Sequence, residues 1–152
     1  MMMMTGCNPA ATNTSDLDKY IYSVKAEDAY YPPVEAWANL NPHRNFKIII
    51  KVPEFTSVCP MTGLPDFGTI TIEYIPDQLC VELKAFKFYM LAYRNVGMFY
   101  ENITNKVLDD VVKAINPRWI RVHSDFSSRG GISTEADVIW QQPGFVYNLG
   151  DC

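Results

Sequence analysis

The spacing of apolar residues changes twice along this chain, and this change constrains the fold more than any other feature of the sequence. From Phe67 to Tyr74 apolar and polar residues alternate, which is the pattern of a β-strand with one buried face. From about Met98 to Ile115 apolar residues recur at every fourth position, which is the pattern of an amphipathic helix. Alternation returns from Trp119 to Phe126. A sheet and at least one helix must therefore pack together.

Three further segments complete the order of elements. The β-branched run from Phe46 to Val52 predicts a first strand, and the segment from Lys84 to Asn95 predicts a helix. Ile132 to Trp140 predicts a last strand, after the turn at Ser127–Gly131. The order is strand, strand, helix, helix, strand, strand. Strands that flank a pair of helices in this way indicate an α+β fold, in which a four-stranded antiparallel sheet carries both helices on one face.

Composition divides the chain into three parts. Residues 1–45 are rich in Asn, Pro, Asp, Ser and Tyr and predict an extended N-terminal arm. Residues 46–140 contain all the predicted elements and form one catalytic domain, and residues 141–152 form a C-terminal tail. A length of 152 residues suits a single domain of this kind.

Charge and composition exclude several classes of protein. The net charge of −4 and the isoelectric point near 5.1 argue against a general nucleic-acid binder, which carries a basic excess. No apolar stretch reaches the roughly 18 residues of a membrane span. The start lacks both the basic region and the apolar region of a signal peptide, so the protein is expected in the cytoplasm. The four cysteines show no CxxC spacing, so neither a metal site nor a disulfide is expected.

Cys59 and Asp66 are the candidate catalytic pair. Cys59 lies on a loop just after a predicted strand and beside Pro60, where a thiolate would be accessible as a nucleophile. Asp66 follows across the turn at Thr62–Pro65, and a hairpin there would bring its carboxyl group close enough to relay a proton. A lone cysteine is more often a small buried residue, and an Asp after Pro is often a turn former.

Three basic residues are candidates for binding an anion. Lys84 and Lys87 share one side of the first predicted helix, where they and the helix N-terminal amides could hold a phosphate. Arg129 precedes Gly130 in a permissive turn and could contact an anion as well. A solvated helix face and an ordinary turn explain the same residues.

Glu101 is a candidate for recognising a planar base. It stands near the start of the second predicted helix, where its carboxylate could accept two parallel N–H bonds from a guanine-like ring while Phe99 stacks on that ring. A first-turn Glu placed by the helix dipole is the alternative.

Taken together and in this order, these residues resemble one family, the NADPH-dependent 7-cyano-7-deazaguanine reductases. The resemblance covers roughly Pro53 to Ile132, about half of the chain. Five segments carry it: Glu82-Leu83-Lys84-Ala85-Phe86-Lys87-Phe88-Tyr89, Pro53-Glu54-Phe55-Thr56-Ser57-Val58-Cys59-Pro60, Pro65-Asp66-Phe67, Tyr93-Arg94-Asn95 and Arg129-Gly130-Gly131-Ile132.

The resemblance implies an activity and an assembly. The activity is reduction of the nitrile of 7-cyano-7-deazaguanine to a primary amine with NADPH, through a cysteine thioimide, in the biosynthesis of queuosine, a tRNA modification. The fold implied is the tunnelling fold (T-fold), in which subunits join their sheets into a barrel. Compact members form two stacked pentamers with active sites between subunits. The partner implied is therefore a small molecule and copies of the same chain, without direct nucleic acid or membrane binding.

The resemblance also assigns roles residue by residue. Cys59 corresponds to the nucleophile and Asp66 to the proton donor. The residues that correspond to substrate-binding positions are Glu101, Phe99, Tyr100 and Glu82. The residues that correspond to NADPH-binding positions are Lys84, Lys87, Arg129 and Gly130. One departure from the family pattern stands at Tyr100, where the family usually carries His; the two histidines of the chain, His43 and His123, lie elsewhere and receive no role.

Three alternatives remain open. A related amidine-forming enzyme would let ammonia attack the same thioimide on a tRNA-borne nitrile, and it would need no nicotinamide. A zinc-dependent cyclohydrolase of the same fold would need a set of metal ligands that the sequence does not offer. An inactive, ring-forming purine binder is compatible with Tyr100.

Overall fold

Four long antiparallel strands and two helices dominate the structure, a computed structural model that describes residues 23–147. Residues 1–22 of the predicted arm and 148–152 of the predicted tail lie outside the described residues. The strands are β1 Val24–Lys25, β2 Ala36–Ala38, β3 Ile48–Val58, β4 Pro65–Ile75, β5 Leu79–Val81, β6 Val96–Gly97, β7 Trp119–Arg129 and β8 Ile132–Gln141, and the helices are α1 Leu83–Leu91 and α2 Tyr100–Ile115.

The main sheet has the strand order β1-β6-β3-β4-β7-β8, and β2 pairs with β5 in a separate two-stranded sheet. The neighbours β3, β4, β7 and β8 are antiparallel, whereas β1 and β6 are paired in parallel. The α+β class and the mostly antiparallel sheet are thus confirmed. The sheet has two strands more than predicted, because strands of two residues are too short to show any periodicity. No helix within residues 23–147 is long and apolar enough to cross a membrane.

One hydrophobic core lies between the sheet and the helices. Alternate residues of β4 are buried on the side that faces α2, as the alternation predicted, namely Ile70, Ile72 and Tyr74. Helix α2 contributes every fourth residue, namely Ile103, Val107, Val111 and Ile115. Phe99, the first apolar residue of the predicted repeat, is instead 49% exposed. It has an extended backbone and precedes the helix, so α2 begins two residues later than predicted.

Helix α1 is shorter than predicted. It ends at Leu91, and a 3₁₀ turn covers Ala92–Asn95. Its core-facing residues include Tyr89, whose hydroxyl lies 2.8 Å from that of Tyr93 and donates a hydrogen bond of 2.7 Å to Asp110 on α2. These contacts tie the two helices together on the same side of the sheet.

A β-bulge in β3 decides which way Cys59 faces. The sequence predicted a loop from Pro53 onward, but the strand continues to Val58. Val52 is paired with Ile70 and Phe55 with Gly68, so β3 contains one residue more than β4 across this stretch. The extra residue reverses the alternation, since side chains on a strand point to opposite faces in turn. Phe55 and Ser57 therefore face the helices, and Cys59, two residues after Ser57, faces the same way.

We predict that Gly68→Ala destabilises the protein by about 1–3 kcal/mol, the usual cost of overpacking. A Cβ atom at Gly68 would lie 2.6 Å from the backbone oxygen of Asp125 and 3.0 Å from the ring of Phe126. The measurement is the free energy of unfolding in urea. Gly97→Ala is the matched control, because its nearest contact would be an ordinary 3.6 Å to Pro60. Equal stability of the two variants would contradict the prediction.

Candidate active site

Asp66 is a buried carboxyl group held by two partners. It lies near the start of β4 on the side that faces the helices, and 2% of it is exposed. The hydroxyl of Tyr100, the first residue of α2, donates a hydrogen bond of 2.5 Å to Asp66 Oδ1. Arg129 Nη2, at the end of β7, lies 2.6 Å from the same oxygen. Three elements therefore meet at one carboxyl group, and both contacts are made to the same oxygen, Oδ1.

Cys59 lies in the hairpin that joins β3 to β4. Its backbone N–H donates a hydrogen bond of 2.9 Å to the carbonyl of Leu64, and its carbonyl accepts one of 2.9 Å from Gly63. These bonds continue the pairing in which Ser57 lies opposite Asp66. Cys59 is two residues beyond Ser57 and so lies on the same face, diagonally across from Asp66, a separation of about 7–8 Å in sheets. The structure thus brings the predicted catalytic pair together.

The thiol of Cys59 is more acidic than an ordinary cysteine. Partial burial raises its pKa, and the charge of Asp66 raises it as well. Hydrogen bonds from the hydroxyl of Thr62 and from the backbone N–H groups of Met61 and Thr62 outweigh both effects, so the net pKa is lowered. A larger fraction of Cys59 is therefore thiolate at neutral pH. The sequence did not predict this role for Thr62, because its only distinguishing feature there is its place in the turn between Cys59 and Asp66.

Tyr100 contacts Asp66 as a hydrogen-bond donor. Its ring stacks on Phe126 with centroids 3.8 Å apart and planes at 12°. Burial, followed by the hydrogen bond to Asp66 and the charge of that carboxylate, raises the pKa of Tyr100 to about 12. The phenol therefore keeps its proton near pH 7 and holds the carboxyl group in place. Sequence reasoning placed Tyr100 on the substrate side and missed this contact.

Arg129 and Gly130 lie at the β7–β8 turn. Arg129 Nη2 also donates a hydrogen bond of 2.6 Å to the carbonyl of Pro65, so the guanidinium is tied to the start of β4. Gly130 has φ +57°, in the left-handed region that favours glycine, and it is exposed. Phe99 and Glu101 flank Tyr100 at the N-terminus of α2, and both are exposed. These predicted ligand contacts thus lie at the same end of the sheet as Asp66.

Glu82 and Lys84, at the start of α1, lie toward the other end of the sheet, whereas Lys87, further along the helix, lines a groove beside the middle of β3. The N–H of Val81, just before α1, donates to the hydroxyl of Tyr74, which is eight residues along β4 from Asp66. At about 3.3 Å per residue, this places the start of α1 roughly 26 Å from Asp66. Within one chain, therefore, Lys84 does not join Cys59 and Arg129.

The carboxylate of Glu82 caps α1. It accepts hydrogen bonds of 3.0 Å from the N–H of Lys84 and 2.6 Å from the N–H of Ala85. The expectation that the N-terminal amides of this helix could hold a phosphate is therefore corrected, because Glu82 already occupies two of them. The lysine ammonium groups remain for an anion.

A groove of about 270 Å³ runs between α1 and the outer edge of β3. Its lining is largely apolar but includes three basic residues, Lys51, Lys87 and Arg94, and one acidic residue, Glu54, which leaves a net positive charge. These charges suit a ligand that carries phosphates and an apolar ring. Among residues 23–147, no group of three or more His, Cys, Asp or Glu side chains is placed to hold a metal ion.

Comparisons with known proteins point to one family. The family described as QueF-like protein matches residues 65–143. A protein of Chloroherpeton thalassium named NADPH-dependent 7-cyano-7-deazaguanine reductase is 58% identical over 108 residues, which are 71% of this chain and 93% of the relative. A protein of the same name from Chlorobaculum tepidum is 52% identical over 109 residues, 72% of this chain and 93% of the relative.

A solved structure shares the fold. The crystal structure of the archaeosine synthase QueF-Like in the apo form has a TM-score of 0.58 and 26% sequence identity to this chain. The superposition covers 61% of this chain and 91% of that one.

We predict that Thr62→Val raises the pKa of Cys59, because it removes the hydroxyl that stabilises the thiolate. The measurement is the rate of alkylation of Cys59 by iodoacetamide as a function of pH, followed by peptide mass spectrometry. The midpoint should move to higher pH in Thr62→Val and stay near that of the wild type in Thr62→Ser. An unchanged midpoint in Thr62→Val would mean that the backbone N–H groups alone lower the pKa.

Proposed function

This chain belongs to the family of NADPH-dependent 7-cyano-7-deazaguanine reductases, enzymes of queuosine biosynthesis, and we propose that it performs their reaction through Cys59. The reaction converts the nitrile of 7-cyano-7-deazaguanine to an aminomethyl group. The observation that carries the proposal is a cysteine with a lowered pKa beside a buried carboxyl group, on one face of one hairpin. We expect the protein to act in the cytoplasm on a free small molecule.

The first step is addition of sulfur to the nitrile. A nitrile is electrophilic at carbon, so the Cys59 sulfur forms a C–S bond while one C–N π bond becomes the nitrogen lone pair. Asp66 takes the thiol proton and passes it to that nitrogen, which gives a covalent thioimide. The proton released at sulfur thus ends on nitrogen, and Asp66 returns to its carboxylate form.

Reduction requires two hydrides, which NADPH supplies when bound. The residues that would hold it are Lys84 and Lys87 on α1 and Arg129 and Gly130 at the β7–β8 turn. Cys59 holds the carbon in place for the first hydride and leaves as the C–S bond breaks. Asp66 stays oriented toward the nitrogen throughout, because Tyr100 and Arg129 fix its other oxygen.

The substrate ring is assigned to the exposed end of α2. Glu101 would accept the paired N–H groups of the deazaguanine edge, and Phe99 would cover the ring. Glu82 completes the substrate side in the family pattern, but its carboxylate caps α1 some distance away. We therefore propose that Glu82 acts on a substrate bound to a neighbouring chain.

Copies of the chain are proposed to complete the site. Within residues 23–147, β8 pairs only with β7, and β3 pairs on its outer side only at Val58. Both long edges could therefore join the sheets of other copies into a barrel, in the two stacked pentamers typical of compact family members. Such an assembly would bring Lys84 and Lys87 of one chain to Cys59 of the next, whereas a single chain keeps Lys84 away from its own Cys59.

The amidine-forming alternative is less well supported. The reductases are 52–59% identical to this chain, whereas the archaeosine synthase structure is 26% identical. Consumption of NADPH on addition of the nitrile separates the reductase from this alternative and from an inactive purine binder.

We predict that Cys59 forms a covalent adduct with 7-cyano-7-deazaguanine in the absence of NADPH. Intact mass spectrometry should show the protein plus one substrate, because addition to sulfur precedes any hydride transfer. Cys59→Ala should show none, and Cys80→Ala should behave as the wild type, since Cys80 is buried and its pKa is raised by burial. An adduct on Cys80 would overturn the assignment.

We predict that Tyr100 acts by orienting Asp66. Tyr100→Phe keeps the ring on Phe126 but removes the hydroxyl, and kcat should fall about ten- to hundredfold. Tyr100→His restores a hydrogen-bond donor, so its kcat should stay within about tenfold of the wild type. Steady-state kinetics measure both. A rise in kcat of about a hundredfold in Tyr100→His would show instead that the family's His passes a proton that Tyr100 cannot.

We predict that two inactive variants complement each other. Cys59→Ala lacks the nucleophile, and the double variant Lys84→Ala/Lys87→Ala should bind NADPH poorly. Mixed oligomers made by co-expression should regain activity if one chain supplies the sulfur and another the lysines. Each variant alone, purified in the same way, is the control. Mixtures as inactive as their parents would show that the two sets of residues do not serve a shared site.

A further inference from the structure

Three basic residues around the groove between α1 and β3 have no acidic partner. Lys51 comes from β3, Lys87 from α1 and Arg94 from the 3₁₀ turn that follows α1. All three are exposed, and within residues 23–147 none of them forms an ion pair. Single unpaired cations occur elsewhere on the surface, but these three converge on one groove. Other basic side chains of the described residues are paired with carboxylates, namely Lys106, Arg118, Arg121 and Arg129.

The walls of the groove are apolar. Phe86, Met90 and Leu91 line it from α1, and Phe55 lines it from β3. Apolar and aromatic side chains of this kind suit the ring of a ligand, and a few charged groups at the edge fix its orientation. The lining therefore suits a phosphorylated nucleoside, with its base against the apolar walls and its phosphate against the cations.

We propose that this groove binds the adenosine end of NADPH and that Lys51 and Arg94, together with Lys87, contact its 2′-phosphate. The inference rests on the proposed function, in which NADPH supplies the hydrides. The nicotinamide ring must lie against the carbon bound to Cys59 during hydride transfer, and Cys59 does not line the groove. The adenosine end of the dinucleotide is therefore the part that can occupy it.

The charge of the lining matches a phosphate monoester. The three basic residues and Glu54 leave an excess of two positive charges. A phosphate monoester carries about 1.5 to 2 negative charges near neutral pH. The planar guanidinium of Arg94 can bind two phosphate oxygens at once, and the lysines act as point charges. Because the 2′-phosphate is what distinguishes NADPH from NADH, Lys51 and Arg94 determine the choice of cofactor.

The test is the cofactor selectivity of Lys51→Gln and Arg94→Gln. Each variant should raise the apparent KM for NADPH about tenfold and that for NADH less than about twofold, because the lost charge faces the 2′-phosphate. Adenosine 2′,5′-bisphosphate should compete with NADPH in the wild type and about tenfold more weakly in both variants. The rate of adduct formation on Cys59 without NADPH should be unchanged. Lys51→Arg and Arg94→Lys, which keep the charge, should retain most of the preference for NADPH.

Lys113→Gln is the matched control, because Lys113 is an exposed lysine of α2 that does not line the groove. It should leave both KM values unchanged. An equal rise for NADPH and NADH in the Gln variants would overturn the inference. Unchanged KM values would also overturn it, and an altered oligomeric state in the same variants would show that a second copy of the chain covers the groove instead. A wild-type protein that binds adenosine 2′,5′-bisphosphate but oxidises no NADPH with the nitrile would overturn the proposed function and leave the inference standing.

Discussion

The hydrogen bond from Tyr100 and the ion pair from Arg129 to the buried carboxyl group of Asp66 hold the active end of the molecule together. A buried carboxylate is stable only when it is paired, because its desolvation is costly. Tyr100 begins α2 and Arg129 ends β7, so pairing Asp66 joins a helix, a strand and a hairpin. The same contacts orient the group that is proposed to move a proton. Stability and chemistry thus depend on one set of contacts.

The bulge in β3 places Cys59 on the same face of the sheet as Asp66. Without the extra residue between Val52 and Phe55, the odd-numbered positions that follow would point away from the helices. Pro53 is tolerated inside the strand because it lies in the bulge, where neither Pro53 nor Glu54 has a paired residue in β4 within residues 23–147, so the missing N–H of proline breaks no ladder bond there. A local irregularity in β3 therefore sets the geometry of the proposed catalytic pair.

The sequence predicted the regular parts of the fold and the residue types of the site. Apolar residues alternate along β4 and β7 and recur every fourth residue in α2 because those positions are buried, and such a pattern is visible in the sequence itself. The bulge was missed because Pro53 looks like the end of a strand. The bond between Tyr100 and Asp66 was missed because the residues are 34 positions apart and no periodicity links them. The separation of Lys84 from Cys59 follows from the direction of α1, which only the fold reveals.

A single chain therefore carries the proposed nucleophile and acid at one end of the sheet and Lys84 toward the other, and the proposed reaction needs all three residues. Reduction of a nitrile to a primary amine consumes four electrons, which is two hydrides per substrate. The direct measurement is the amount of NADPH oxidised per molecule of 7-aminomethyl-7-deazaguanine formed by the purified protein. The account predicts a ratio of two, with the amine as the product. A ratio of zero, or release of a product that still contains a carbon–nitrogen double bond, would contradict it.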